Sequence, residues 1–319
     1  MKIVSKISII VPCYNEEDVL PLFYQEVSLV LSKMDYDYEL LFVNDGSKDR
    51  TLSILKELAQ QDTHVTYLSF ARNFKKEAAM YAGFCNAQGD FVAVMDADMQ
   101  DPPALLPQMM EILEGGEYDS VATRRITRKG EPKLRSCFAR MFYKIINKIS
   151  DTEILDGARD FRLMKREMVD AIIAMGEYDR FSKGIFGWIG FNTYWLPFEN
   201  EERAAGQSKW SFWSLSKYAV DGIINFSHAP LNIAFVISLF MIIVSIVALT
   251  LVVIQLAVFG ANPIMGWISL AGTIVLIGGL QLFCLGIVGQ YVAKTFWESK
   301  GRPHYIISET NKKDAKKIQ

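Results

Sequence analysis

Two long stretches in the last third of the chain contain no charged residue. They run from Pro230 to Phe259 and from Met265 to Ala293, and a short turn sequence, residues 260–263, separates them. A helix needs about 20 apolar residues to cross the hydrocarbon core of a bilayer, and both stretches exceed that length. We therefore predict two transmembrane helices, residues 230–259 and 265–293. A hairpin buried in a soluble protein is the alternative, and the missing charges argue against it.

The residues around these stretches predict how the chain is oriented. The tail, residues 294–319, is rich in lysine and includes Lys312, Lys313, Lys316 and Lys317. By the positive-inside rule this tail is cytosolic, and two crossings return the N-terminal part of the chain to the same side. The first residues lack the apolar core of a signal peptide. We expect a multi-pass protein of the inner (plasma) membrane, with residues 1–210 in the cytosol.

The N-terminal part alternates between short apolar runs and segments with helical periodicity. The runs Ile7–Pro12, Tyr38–Val43, Val65–Phe70 and Phe91–Met95 predict strands, and helices are predicted from about Val19 to Leu31, from a cap at Asp49 to about Gln60, and from the Lys75-Lys76-Glu77 region to near Gly89. Nearly continuous apolar strands joined by helices predict an α/β fold, with a mostly parallel sheet covered by helices on both faces. Ligands of such sheets bind beyond the carboxyl ends of the strands.

The fourth predicted strand ends in two aspartates, Asp96 and Asp98, with Ala97 between them. Because side chains alternate along a strand, the two carboxylates point the same way and Ala97 points the other way. Paired carboxylate oxygens suit Mg²⁺ or Mn²⁺ held jointly with substrate phosphates. A solvated acidic turn is the alternative interpretation of an isolated Asp-x-Asp. The convergence of several polar strand ends on one edge favours a nucleotide-type site instead.

Composition excludes several classes of protein. The net charge is −2, so electrostatics give no reason to expect nucleic acid as a partner. Three scattered histidines and four cysteines without Cys-x-x-Cys spacing make a zinc site improbable. Half of the residues are hydrophobic, with the excess at the C-terminal end, which agrees with a soluble domain followed by membrane segments.

Three segments between the sheet and the membrane helices have less definite patterns. Residues 132–150 predict a basic helix with aromatic residues on its apolar side, which suits either a membrane interface or packing against the sheet. Residues 199–210 are polar and aperiodic, and predict a loop. Residues 211–229 are rich in aromatic residues and predict a juxtamembrane interface helix.

In the second membrane stretch Gly272, Gly279 and Gly286 share a helix face, so another helix can approach closely. We expect a homo-oligomer.

Taken in order, several motifs of the chain resemble glycosyltransferase family 2, in the branch that includes dolichol-phosphate mannose synthases and bactoprenol glucosyltransferases. The motifs are Val11-Pro12-Cys13-Tyr14-Asn15-Glu16, Val43-Asn44-Asp45-Gly46-Ser47, Arg72-Asn73-Phe74, Asp96-Ala97-Asp98-Met99-Gln100-Asp101-Pro102, Arg159-Asp160-Phe161-Arg162 and Arg203-x-x-Gly206-x-Ser208-Lys209. One departure is Lys75, which stands where the family usually has glycine. The Gln-x-x-Arg-Trp element of processive synthases is absent, which argues against polymerisation.

The resemblance implies a GT-A fold for residues 1–210 and specific roles for individual residues. The nucleotide-binding residues would be Pro12, Tyr14, Asn15, Glu16, Asp45, Arg72 and Asp96; the Mg²⁺ or Mn²⁺ ligands Asp96, Asp98 and Gln100; and the acceptor- or phosphate-binding residues Arg124, Arg135, Arg203, Ser208 and Lys209. Asp45 would accept a hydrogen bond from the imide of uracil, because a carboxylate only accepts and uracil offers one such donor. A solvated loop pair remains the alternative for Arg203 and Lys209.

The resemblance also implies a reaction, the transfer of a sugar from a nucleotide-diphosphate sugar to a polyprenyl phosphate, with inversion at the anomeric carbon. UDP-glucose or UDP-N-acetylglucosamine would be the donor and undecaprenyl phosphate the acceptor. The catalytic residues would be Asp98, Arg203 and Asp160. Asp160 would be a base or a sugar contact, although an ion pair with Arg159 or Arg162 is an equal alternative. Transfer to another lipid such as diacylglycerol, and a non-catalytic scaffold or flippase partner, are the competing functions.

Overall fold

The computed structural model describes residues 5–126, 147–148, 155, 157–198, 222–260 and 263–319. The predicted basic helix at 132–150, the polar loop at 199–210 and residues 211–221 of the juxtamembrane helix fall almost entirely outside the described residues. Cys137 does so as well.

Eight strands form one mixed sheet in the spatial order β7-β5-β6-β4-β1-β2-β3-β8. Their bounds are β1 Lys6–Cys13, β2 Asp37–Asn44, β3 Val65–Phe70, β4 Phe91–Val94, β5 Ser120–Arg125, β6 Ala158–Lys165, β7 Thr193–Phe198 and β8 Ile307–Thr310. Strands β4, β1, β2 and β3 pair in parallel, as the sequence predicts for the first four strands. Strand β6 is antiparallel to both β4 and β5, and β7 is parallel to β5.

Helices cover both faces of this sheet. Their bounds are α1 Leu20–Leu31, α2 Thr51–Gln61, α3 Lys76–Asn86, α4 Leu106–Glu114, α5 Arg166–Ala174, α6 Ser182–Trp188, α7 Ala229–Phe259 and α8 Pro263–Ser299. Neighbouring residues of a strand enter opposite cores because strand side chains alternate. Ile9 of β1 packs in the core that includes α1 and α4, whereas Ile10 packs in the core that includes α3 and α5.

The first three helices begin and end close to their predicted positions. The N-cap of α2 is Arg50 rather than the predicted Asp49. Asp49 still contributes to the start of the helix, because its Oδ1 accepts a hydrogen bond from the backbone N–H of Thr51 at 3.0 Å. The prediction was therefore one residue out at the cap, and the carboxylate still satisfies a donor of the first turn.

The C-terminal segment differs from the predicted tail. Strand β8 pairs antiparallel with β3 and so becomes an edge of the sheet. Lys312 forms an ion pair with Glu39 of β2 at 3.2 Å, and both side chains are almost fully buried. The aromatic ring of Tyr305 is fully buried and stacks on Phe70. The last residues of the predicted basic tail are therefore part of the folded sheet domain.

Helices α7 and α8 are long, apolar and exposed. They contain 31 and 37 residues, so they extend for about 46 and 55 Å, more than the thickness of a bilayer core. Each includes a segment long and apolar enough to cross a membrane. Cβ atoms built on Gly272, Gly279 and Gly286 meet no atom of the described residues within 4 Å. The predicted glycine face is thus unused in contacts within that part of the chain.

Candidate active site

The topology brings the predicted site residues to one edge of the sheet. Strands β1 to β4 are parallel, so the loops that follow them leave from the same edge. Because β6 is antiparallel to β4, β6 begins at the edge where β4 ends. The residues at this edge are Pro12, Tyr14, Asn15, Glu16, Asp45, Arg72, Asp96, Asp98, Gln100, Arg124, Arg159 and Asp160. The predicted residues Arg135, Arg203, Ser208 and Lys209 lie outside the described residues.

Hydrogen bonds join the loop after β1 to the loop after β2. The backbone N–H of Asn15 donates to Ser47 Oγ at 2.9 Å, and the Oδ1 of Asn15 accepts from the backbone N–H of Lys48 at 2.9 Å. The backbone N–H of Glu16 donates to Thr51 Oγ1 at 2.9 Å. Asn15 has a φ of 53°, a left-handed conformation that asparagine tolerates better than most residues. The two loops therefore form one rigid wall of the cleft.

Asp45 lies at the end of β2 and is almost completely buried. Its Oδ1 accepts a hydrogen bond from the backbone N–H of Phe74 at 2.6 Å. Burial raises the pKa of Asp45 to about 6, although backbone N–H groups of Phe74 and Lys75 and the charge of Arg72 oppose that rise. One oxygen of this carboxylate therefore holds the loop after β3 in place. Its contact with a uracil base stays a prediction.

The loop after β3 packs directly against the loop after β2. A Cβ built on Gly46, whose φ is +67°, would lie 2.6 Å from the carbonyl carbon of Arg72, so only glycine fits there. Lys75 has a φ of 77° and a ψ of 164°. That region is essentially restricted to glycine, the residue usual at this position in the resembled family. Lys75 therefore adopts a backbone conformation that glycine adopts without strain.

Lys76 is the first residue of α3 and joins two acidic residues of the cleft. Its Nζ lies 2.7 Å from Asp96 Oδ1, 2.9 Å from Asp96 Oδ2 and 2.5 Å from Asp160 Oδ2. Burial alone would lower the pKa of Lys76, but the charges of Asp160 and Asp96 raise it above its usual value. Lys76 therefore carries a positive charge between the two carboxylates.

The ion pair of Asp160 differs from the predicted alternatives. Asp160 pairs with Lys76 rather than with Arg159 or Arg162. Arg159 is its neighbour on β6 and points to the opposite face of the strand, where it pairs with Asp101. Burial would raise the pKa of Asp160, but the charges of Lys76 and Lys183 hold it well below its ordinary value. A general base works best with a pKa near the working pH, so this arrangement disfavours a base role.

Arg159 and Asp101 form a second ion pair of the site, in which Asp101 is buried and Arg159 is partly buried. The Nε of Arg159 donates to Asp101 Oδ1 at 2.9 Å, and an Nη donates to Gln100 Oε1 at 3.5 Å. Burial raises the pKa of Asp101 to about 6 against the opposing charge of Arg159. The Asp101 Oδ2 is buried without a hydrogen-bond partner within the described parts of the chain. This pair fixes the turn that carries Asp98 and Gln100.

The donor set of this turn fits a hard divalent cation that is shared with a substrate. No group of three or more His, Cys, Asp or Glu side chains among residues that the structure describes is arranged to hold a metal ion. Asp96 and Asp98 supply carboxylate oxygens, and the unpartnered Oδ2 of Asp101 is a further oxygen in the same turn. Mg²⁺ is typically bound by one or two carboxylates plus substrate phosphates, so a complete protein cage is not required. The fit is therefore to an ion that binds together with a diphosphate.

Lys76, Glu77, Asp101 and Lys183 lie at the site without having been predicted to act there. Glu77 accepts hydrogen bonds from the backbone N–H (3.1 Å) and the hydroxyl of Ser182, and burial raises the pKa of Glu77 to about 7. The position of Lys76 and Glu77 in the sequence could have indicated a role in the site. They begin the helix that follows β3, and residues at the start of such a helix lie near the edge where ligands bind. The partners of Lys76 and Glu77 are Asp96 after β4, Asp160 on β6 and Ser182 at the start of α6, which lie 20 to 105 positions away in the sequence.

A family profile and two similar relatives of the chain all carry glycosyltransferase names. A profile of the family described as Glycosyl transferase family 2 matches residues 8–173. The chain is 43% identical to CsbB of Bacillus subtilis (strain 168), which carries a provisional glycosyltransferase name, over 96% of this chain and 92% of that protein. It is 41% identical to a bactoprenol glucosyl transferase of Shigella phage SfV, over 97% of this chain and all of that protein.

A solved structure also aligns with the chain. It is the glucosyl-3-phosphoglycerate synthase of Mycobacterium tuberculosis in complex with Mn²⁺, UDP-glucose and phosphoglyceric acid. The two proteins are 18% identical, the alignment covers 69% of this chain and 78% of the other, and the TM-score is 0.46.

Proposed function

The chain belongs to glycosyltransferase family 2, and from this premise we propose that it transfers a hexose from a uridine-diphosphate sugar to a polyprenyl phosphate at the cytosolic face of the inner membrane. Undecaprenyl phosphate is the proposed acceptor. The observation on which the proposal chiefly depends is the acidic cleft of Asp96, Asp98 and Asp160 at the carboxyl edge of a sheet whose chain continues into two long apolar helices.

The nucleotide half of the cleft supports a uridine donor. The two loops that carry Asn15 and Asp45 are hydrogen-bonded to each other and to the loop after β3. A rigid wall of this kind binds a flat base at small entropic cost, because its side chains are ordered beforehand. In the proposal the Asp45 carboxylate accepts from the uracil imide, and Pro12, Tyr14 and Glu16 line the same pocket.

The catalytic problem is the charge of the departing diphosphate. A divalent cation supplies a Lewis acid for that charge when it is bound. Asp98 and Asp96 would hold the ion with Gln100 nearby, and the Arg159–Asp101 pair would keep their turn in place. Preorganised charges of this kind act without reorganisation during the reaction. Arg124, at the end of β5, would stabilise the acceptor phosphate, and Arg135, Arg203, Ser208 and Lys209 would complete that part of the site.

The acceptor needs little help to become a nucleophile. A phosphate monoester has a second pKa of about 6, so it is largely ionised near neutral pH. The low pKa of Asp160 agrees with this, because a carboxylate that stays ionised is suited to binding and positioning rather than to proton removal. A single direct displacement would invert the anomeric carbon and give a β-linked product from an α-linked donor.

The relatives favour glucose as the sugar. The name of the phage protein states glucosyl transfer to bactoprenol, and the alignment with it spans almost the whole of both chains, including α7 and α8. We therefore propose UDP-glucose as the first donor to test, with UDP-N-acetylglucosamine second. The glycine face of α8 gives a surface for the proposed homo-oligomer in the membrane.

Mass spectrometry of the lipid product tests the proposal. Membranes that contain the full-length protein are offered undecaprenyl phosphate with each nucleotide sugar in turn, and then diacylglycerol in place of the phosphate lipid. We expect a mass increase of one hexose on undecaprenyl phosphate with UDP-glucose, and none with the Asp98→Ala variant or in EDTA. A product on diacylglycerol only, or no product from any donor, would contradict the proposed function.

A further inference from the structure

Lys76 contacts Asp96 and Asp160, two of the acidic residues of the cleft, and its position affects how a divalent cation can bind there. Its ammonium group lies within 3 Å of both oxygens of Asp96 and at 2.5 Å from Asp160. A divalent cation bound to Asp96 would therefore meet a positive charge already in contact with that carboxylate. Like charges at such distances repel by several kcal/mol at the effective dielectric constant of about 20 near a protein surface.

The backbone beneath Lys76 is fixed, whereas its side chain has room to move. Glu77, the next residue, is hydrogen-bonded to Ser182 of α6, and the following residues of α3 are buried against the sheet. The Lys76 side chain itself is 36% exposed. A rotation about its side-chain bonds can therefore release Asp96 without any displacement of the helix.

Asp96 and Asp160 need a cation between them. Asp96 lies just after β4 and Asp160 lies on β6. Both contact one nitrogen atom, so their carboxylates are close neighbours. Without a positive charge between them, two ionised carboxylates at this distance repel each other, and this repulsion destabilises the folded protein.

We propose that Lys76 is the internal counter-cation of the donor-free site: it holds Asp96 and Asp160 together, and a divalent cation that arrives with the donor must displace it from Asp96. This inference rests on the proposed function, because it concerns the same acidic cleft. Lys76 is thus a positioning residue. It keeps the site assembled while empty and keeps the affinity for a free cation low, so that the ion binds chiefly together with the diphosphate.

Mn²⁺ binding by the donor-free protein tests the inference. The full-length protein in detergent is titrated with Mn²⁺, and the free ion is measured by electron paramagnetic resonance. We expect Lys76→Met to raise the affinity for Mn²⁺ roughly tenfold or more, which corresponds to about 1.4 kcal/mol. Lys76→Arg keeps the charge and should keep the low affinity. Lys75→Met removes the neighbouring exposed lysine and is the matched control, with an affinity within about twofold of the wild type.

The melting temperature gives a second, independent readout. Lys76→Met should melt at a lower temperature than the wild type without metal, and Mn²⁺ should raise its melting temperature by more than it raises that of the wild type. If Lys76→Met does not fold, the double variant Lys76→Met/Asp160→Asn is used instead, because it removes the repulsion between the carboxylates of Asp96 and Asp160. Its Mn²⁺ affinity and melting temperature are then compared with those of Asp160→Asn alone.

The outcomes separate this inference from the proposed function. An unchanged or weaker Mn²⁺ affinity in Lys76→Met, with normal binding by the wild type in the presence of UDP, overturns the role of Lys76 and leaves the proposed function intact. If neither protein binds Mn²⁺, even with UDP present, the metal-dependent part of the proposed function fails and the inference fails with it.

Discussion

Single residues of the cleft show how burial changes their chemistry. Asp45 is a carboxylate in sequence, but burial at the end of β2 raises its pKa to about 6, close to the pH range in which the protein would work. Asp160 has the same side chain, yet the adjacent Lys76 lowers its pKa. The position of each aspartate, and not its type, therefore decides whether it is ionised across the physiological range.

We predict that uridine binding depends on pH through Asp45. The imide N–H of uracil donates to the ionised form of a carboxylate. Below about pH 6, Asp45 must therefore release its proton before uracil binds. The affinity for uridine should be constant above about pH 7 and should fall by up to about tenfold per pH unit below pH 6. Saturation-transfer NMR between pH 5 and 7.5 measures it, since uridine has no phosphate that titrates there. Asp45→Asn should bind weakly with no such pH dependence, and equal pH profiles for both proteins would contradict the prediction.

We predict that Lys75→Gly stabilises the protein. Lys75 lies in a backbone region that costs about 1–3 kcal/mol for a non-glycine residue, whereas the added flexibility of glycine costs about 0.5–1 kcal/mol. The melting temperature should therefore rise by about 2–4 °C, the shift typical of 1 kcal/mol in a protein of this size. Lys33→Gly is the control, because Lys33 follows α1 with an ordinary negative φ, and it should not raise the melting temperature. A lower melting temperature for Lys75→Gly would show that Lys75 is not strained.

At the scale of elements, the least expected contribution comes from β8. It pairs with β3 and becomes the short edge strand of the sheet. The residues after it return to α3, where the backbone N–H of Lys316 donates to Asn86 Oδ1 at 2.8 Å. An unpaired edge strand invites pairing with other chains, so this cover also protects β3. Helix α8 is thereby tied directly to the sheet that carries the cleft.

We predict that Lys312→Met lowers the stability of the sheet domain. Lys312 is the cationic partner of Glu39, which is buried and also accepts hydrogen bonds from Ser8 Oγ (2.6 Å) and the backbone N–H of Gln88 (2.7 Å). Removing one partner of a buried ion pair costs about 3 kcal/mol. Thermal unfolding in detergent at pH 7 measures the loss. Lys313→Met, which removes the adjacent exposed lysine, should change little, and an equal effect of both variants would rule out a specific role for the ion pair.

At the scale of the whole molecule, the sheet domain and the apolar helix α8 are joined by side-chain contacts as well as by the chain itself. The chain leaves the sheet domain before α7 and returns to it after α8. The ring of Tyr178 stacks on Trp297 near the end of α8, and Glu298 accepts a hydrogen bond from the backbone N–H of Tyr178 at 2.7 Å. Because β8 belongs to the same sheet as β1 to β4, both ends of the helical hairpin must lie on the same side of any membrane that it crosses.

We predict that the N-terminus and the C-terminus are accessible from the same side of the membrane. A protease-cleavable tag at either end should be cut in inverted inner-membrane vesicles and protected in intact spheroplasts, and carbonate washing should leave the protein in the membrane. The pairing of β8 with β3 requires this result. Tags that are cut from opposite sides would contradict both the fold of the C-terminal segment and the two-span topology.

Local patterns in the sequence were sufficient for part of this description. The strands β1 to β4 and their intervening helices follow from apolar periodicity, and the two apolar helices follow from length and lack of charge, because each of these signals lies within a few turns of the chain. The Asp96–Asp98 pair was predicted at a strand end for the same reason, and the family of the chain was predicted from its ordered motifs.

Only the tertiary structure decided which charges meet. Lys76 and Asp160 are 84 positions apart in the sequence, and Glu39 and Lys312 are 273 apart. No local periodicity encodes such pairs, since they depend on which strands become neighbours and on the face that each side chain takes. The same reason explains β8, whose four residues become a strand because the edge of β3 offers hydrogen-bond partners.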